Sequence, residues 1–187
     1  MESGIAVHEL WRTPPPLPAD PVKPSRVAPV YATATIGTLS AEALRQQLYD
    51  AGYPSLYSTL DYVLLQEVTV LPAPAEYEVF RISGRDLDFP EDCGLDAARE
   101  AAKWLYGLEP CPAELVAHLS LLSILPPQRE PRSSRAIMAS IRNSGFRRWF
   151  IFCLLHHEDG STSLYTDFAE EIHPGDTQWL ACREVKK

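Results

Sequence analysis

The residues best suited to chemistry gather in the C-terminal third: His156, His157, Glu158, Asp159, Asp167, Glu170, Glu171 and His173. Imidazoles and carboxylates at this density are the raw material of a divalent-metal or hydrolytic centre. Their spacing argues the other way. His156 and His157 are adjacent, and adjacent residues of a strand point to opposite faces, so a regular strand cannot aim both at one ion. The chain contains no HExxH or HxH pattern. The expectation is a solvated hairpin end with no metal and no cofactor, although residue types alone leave metal binding there open.

Other reactive groups are less promising. Cys93, Cys111, Cys153 and Cys182 are separated by 18, 42 and 29 residues, with no CxxC pair. That spacing suits neither structural zinc nor a dense disulfide framework, so reduced, buried thiols are expected. Cys153 falls inside the apolar run Trp149 to Leu155, where a thiol stays protonated and inert. Neither a GxSxG elbow nor a phosphate-cradling GxGxxG or GxxxxGK[ST] loop is present. No catalytic residue is assigned, and the chain is read as a non-enzyme.

Charge is the more informative signal. Over residues 1–127 there are 8 basic and 17 acidic groups, over 128–155 there are 6 and 1, and over 156–187 there are 3 and 7. The basic island comprises Arg129, Arg132, Arg135, Arg142, Arg147 and Arg148. Such an island can hold phosphate, pair with acids of the same fold, or dock an acidic protein. The acidic zone is concentrated between Glu76 and Glu114, with Asp86, Asp88, Glu91 and Asp92 forming its most compact stretch. A face of this kind steers toward basic surfaces, including those that hold nucleic acid.

These groups need a scaffold, and at 187 residues with 45% hydrophobic content the chain can build one ordinary core. Residues 1–30 carry seven prolines and read as an irregular, extended arm with Trp11 as its candidate anchor. The first 26 residues are expected to be dispensable for folding. Residues 31–187 are expected to form a single α+β domain. Val27 to Ile36 suits an edge strand. Helices are expected at 40–51, capped by Ser40, and at 56–66, 94–106, 112–125 and 134–143, from apolar spacings near 3.6 and from glycine or proline stops. Val68 to Leu71 and Tyr77 to Ile82 are strand-like. Arg148 to His157, apolar on both faces, reads as a central strand. With the Asp159-Gly160 turn signal and Thr177 to Val185, it predicts a three-stranded antiparallel meander over 146–185. Helix runs beside strand runs, without βαβ alternation, place the chain in the α+β class.

The longest apolar run has seven residues, too short to cross a bilayer, and Met1 to Leu10 has no basic opening or apolar stretch. A cytoplasmic protein without a membrane partner is expected. Arg outnumbers Lys 13 to 4, a usage typical of GC-rich bacterial or phage coding. Together these features predict a non-enzymatic acidic binding protein, an accessory or inhibitory factor that contacts a protein and occludes a nucleic-acid-processing partner. The alternative is a winged-helix DNA-binding regulator. Its recognition helix would be 134–143, its wing the tip at Glu158 to Ser161, and its phosphate contacts the basic segment 129–148.

Overall fold

The computed structural model describes residues 24–51, 68–122, 132–136, 141–143, 148–156, 162–169 and 171–186. Three helices and two antiparallel-rich sheets make a mixed α+β fold among these residues. In chain order they are β1 (Val30–Ile36), α1 (Ala41–Asp50), β2 (Ala75–Ser83), β3 (Asp92–Gly94), α2 (Leu95–Tyr106), α3 (Ala113–Leu121), β4 (Arg132–Ala136), β5 (Ile141–Asn143), β6 (Arg148–His156), β7 (Thr162–Phe168), β8 (Ile172–Pro174) and β9 (Gln178–Glu184). The expected helix at 56–66, the anchor Trp11 and the Asp159-Gly160 tip lie outside the described residues.

Local signals explain the helices. Ser40 Oγ accepts the Ala43 amide at 3.1 Å, closing the N-terminus of α1, whose Leu44 and Leu48 are buried. Helix α2 buries Leu95, Ala98 and Ala102 along one stripe and ends at Gly107, whose φ of 65° is the left-handed stop glycine tolerates best. Pro112 precedes α3, which buries Leu115, Val116, Ala117 and Leu119 around its circumference, as a helix enclosed by protein must.

The main sheet runs β1-β2-β9-β4-β6, with β5 continuing β4's edge of β6 and β7 on β6's other edge. Every pairing is antiparallel except β4 with β9. Helix α3 packs against β1, β6 and β7, and α1 packs on α3. A nine-residue helix of roughly 14 Å thus meets strands at both ends of an order that would span roughly 24 Å if flat, so the sheet curls toward it. The fully buried Trp179, Phe152, Ile36, Leu44, Leu48 and Leu115 fill the space between.

Three expectations are corrected. The helix expected at 134–143 is not formed: its described residues, 134–136 and 141–143, belong to the strands β4 and β5, with Arg135 in register with Cys153 on one side and Trp179 on the other. The Ile137, Met138, Ile141 spacing suits a helix, but β6 and β9 pair with the backbone of 132–136 and β6 pairs with that of 141–143, so tertiary pairing overrides local pattern there. The winged-helix arrangement therefore lacks its recognition helix. Nor is the C-terminus a meander. Strands β6 and β7 pair from His156↔Thr162 to Phe150↔Phe168, whereas β9 inserts between β2 and β4. Finally, 68–71 forms no strand, because the Leu71 amide is used elsewhere.

That use is the most unusual packing in the fold. Glu114, in the first turn of α3, is completely buried, and its two carboxylate oxygens accept the amides of Gly37 and Leu71, each at 2.7 Å. Gly37 has φ +76°, and a Cβ there would stand 2.3 Å from the Ala73 carbonyl oxygen, so glycine is required by both conformation and contact. The carboxylate thereby joins the exit of β1, the segment before β2 and α3. The end of the Pro-rich arm is tied down as well. Arg26 donates its amide to Leu105, and Pro24 lies against Gly107.

Two stability predictions follow from α3. Glu114→Ala leaves two partly buried amides without their acceptors, at about 1–3 kcal/mol each, so thermal melting should show Tm lower by on the order of 5–15 °C. Retention of the wild-type Tm would remove this carboxylate from the account of the fold. His118, one turn further on, has an enclosed Nδ1 without a hydrogen bond. Burial lowers its pKa below the usual histidine value, and the Glu114 carboxylate opposes that only in part. Its contribution to stability is thus complete above the unfolded value of about 6.5 and is lost as pH falls through the lower folded value. Tm should fall as pH drops below about 6.5, and His118→Gln should flatten that fall.

Candidate functional site

The acidic stretch separates into two kinds of carboxylate. Asp86 builds a turn: its Oδ2 accepts the Ser83 hydroxyl at 2.6 Å and the Ser83 amide at 3.0 Å, while Ser83 Oγ accepts the Asp86 amide at 3.1 Å. The buried Leu87 is the hydrophobic plug of this loop. Asp88 adopts φ 67°, and the Arg26 guanidinium holds its carboxylate at 2.9 and 3.0 Å while also donating to the Asp86 carbonyl. Tyr106 donates to the same carbonyl. These two acids are structural partners of the arm and α2.

Glu91 and Asp92 are different. Both are exposed, and among the described residues neither side chain has a hydrogen-bond or ion-pair partner. They lead into a two-stranded ribbon, β3 with β8, in which Asp92 faces Pro174, Cys93 faces His173 and Gly94 faces Ile172. Its frame is rigid. Gly175 donates to the Glu91 carbonyl, Arg85 donates to the Gly175 carbonyl, and a Cβ on Gly175 would stand 2.4 Å from the carbonyl oxygens of Phe89 and Pro90. Ile172 is 56% exposed although it is large and apolar. Exposed Asp96, Glu171 and Asp176 flank the ribbon along the chain, so an apolar residue is bordered by carboxylates.

The basic island is not one face. Arg132 and Arg135 are in β4, Arg142 is in β5 opposite Trp149, and Arg148 opens β6 opposite Asn143. Arg129 and Arg147 lie outside the described residues. Spread over three strands of one sheet, these arginines do not line a helix that could enter a groove.

The structure also assembles a group that sequence reasoning did not isolate. Asp167 at the end of β7, Glu171 and His173 in β8 each offer a donor atom, and these atoms all lie within 4.8 Å of one another. His173 is only 4% exposed, and its ring meets the buried Trp179 edge-on, with centroids 5.6 Å apart. Of the pair that drew attention in the sequence, His157 and the side chain of His156 lie outside the described residues. The only prior signal was the run of acids before His173, which has no recognised ligand spacing.

The four cysteines are free and buried. Burial pushes the Cys93 thiol up to about 12. Cys111 is raised well above an ordinary thiol by its hydrogen bond with Cys182 and by burial. No family model, curated protein or solved structure matches the chain. Because Cys93 and Cys111 are both enclosed and protonated, a disulfide-exchange reagent at mildly alkaline pH should find almost no reactive thiol in the native protein, and all four after denaturation. Rapid labelling of the native chain would contradict that burial.

Proposed function

We propose that the protein is a non-enzymatic binding module, a bacterial or phage accessory or inhibitory factor that acts by contact with a basic protein surface. The observation that carries this reading is the β3–β8 ribbon, which bears exposed Asp92 and exposed Ile172, with exposed Glu91 leading into it, on a backbone held by its own hydrogen bonds. A central apolar anchor within a charged rim is the anatomy of a protein contact, and fixed carboxylates raise the encounter rate with a cationic partner. A rigid frame favours this further, since little conformational entropy is lost on binding. A basic partner surface that normally holds nucleic acid would be occluded by such a face. Among the described residues no helix is long and apolar enough to cross a membrane.

The test compares the wild-type chain with a Glu91→Lys/Asp92→Lys variant in affinity capture from a bacterial lysate, with and without nuclease. The partner should survive nuclease treatment, weaken with added salt and disappear with the double variant. Exposed charges contribute only about 0–1 kcal/mol to folding, so the variant should melt within a few degrees of wild type. A partner that the variant captures equally well, or one lost on nuclease treatment, would overturn the proposal.

A further inference from the structure

The corner between β7 and β8 holds chemistry that a contact surface does not need. Asp167 is positioned by the pairing of β7 with β6, where it stands in register with Ile151. Its Oδ1 accepts the Phe168 amide at 2.9 Å, which orients the carboxylate. The chain then turns, Glu171 donating its amide to the Phe168 carbonyl at 3.3 Å, and so returns Glu171 toward Asp167. His173 follows two residues later in β8, its position set by Cys93 across the ribbon and its ring by the edge-on contact with Trp179. Two of the three side chains are thus held by their surroundings, while Glu171 is exposed and free to adjust.

We propose that Asp167, Glu171 and His173 bind a first-row divalent transition metal of the zinc type at this corner. Donors on a tetrahedral ion with bonds of about 2.0–2.2 Å stand about 3.4 Å apart, so donor atoms already within 4.8 Å need only small side-chain rotations to converge. Two carboxylates and one neutral imidazole match a dipositive ion in charge. The imidazole favours zinc, or its spectroscopic stand-in cobalt, over magnesium and calcium, which prefer all-oxygen shells. Partners outside the ligands are in place too, since the Phe168 amide and the Trp179 ring orient Asp167 and His173 as second partners do in known centres. Three protein ligands with Glu171 at the surface leave a coordination position for water. The ion would join the main sheet, through Asp167, to the ribbon, through His173.

This site is independent of the partner reading and is tested without one. The full chain, stripped with a chelator and kept reduced, is titrated calorimetrically with Zn²⁺ and separately with Mg²⁺, and its melting is followed in each. One Zn²⁺ per chain and a Tm raised by several degrees are expected, with no response to Mg²⁺ at the same concentration. Co²⁺ should give ligand-field bands without the intense thiolate charge-transfer band that cysteine ligation would produce. Glu171→Gln, an exposed change that should leave the metal-free Tm unaltered, is expected to weaken Zn²⁺ binding by at least about tenfold, and Asp167→Asn likewise. No Zn²⁺ uptake by a normally melting chain, a thiolate band, or wild-type affinity in both variants would overturn the site and leave the triad as an imidazole–carboxylate contact.

Discussion

A single buried carboxylate organises this fold. Glu114 is sealed from solvent on α3, and among the described residues its two oxygens accept hydrogen bonds from two backbone amides. A carboxyl group in such a place is tolerable only when hydrogen bonds replace its lost hydration. Both donors come from non-regular backbone, Gly37 after β1 and Leu71 before β2, whose partly buried amides find their acceptor in this carboxylate. The carboxylate and the loops therefore depend on each other, and α3 cannot take its place against β1 unless those loops pass over its first turn.

From that arrangement the rest of the architecture follows in order. Helix α3 centres the sheet, and the sheet's curl brings β6 and β7 onto the same helix as β1. Strand β9 then threads between β2 and β4, which carries its N-terminal end, Trp179, into the core and sets β8 beside β3. The ribbon that presents Glu91, Asp92 and Ile172 is a consequence of where β9 must begin. The Asp167–Glu171–His173 corner is produced by the same constraint, because the chain has only three residues, Ala169 to Glu171, in which to leave the main sheet and enter the ribbon.

The two acidic clusters illustrate how one composition serves different ends. Asp86 and Asp88 shape a tight loop and hold Arg26, so their charge is spent within the molecule. Glu91 and Asp92, a few residues on, sit where the backbone is already satisfied by Gly175, and their charge faces solvent. Charge density along the chain could not distinguish the two groups, because the distinction lies in which backbone carbonyls and guanidinium come to meet them.

Local interactions made several elements legible from the residues alone. The Ser40 cap, the Gly107 stop, the apolar stripe of α2, the apolar run Trp149 to Leu155 within β6 and the burial of the cysteines are each where the sequence places them. The β6–β7 hairpin is equally local. What the residues could not convey was partnership across long separations. Whether 134–136 and 141–143 are helix or strand depends on pairing with β6 and β9, and β9's own neighbours lie roughly a hundred and roughly forty residues away in the chain. The convergence of Asp167, Glu171 and His173 needed a turn and a second ribbon, neither of which has a periodic signature. Sequence by itself determined the elements whose hydrogen bonds close locally; tertiary structure decided strand order and the candidate sites, because those hydrogen bonds and contacts close only between distant parts of the chain.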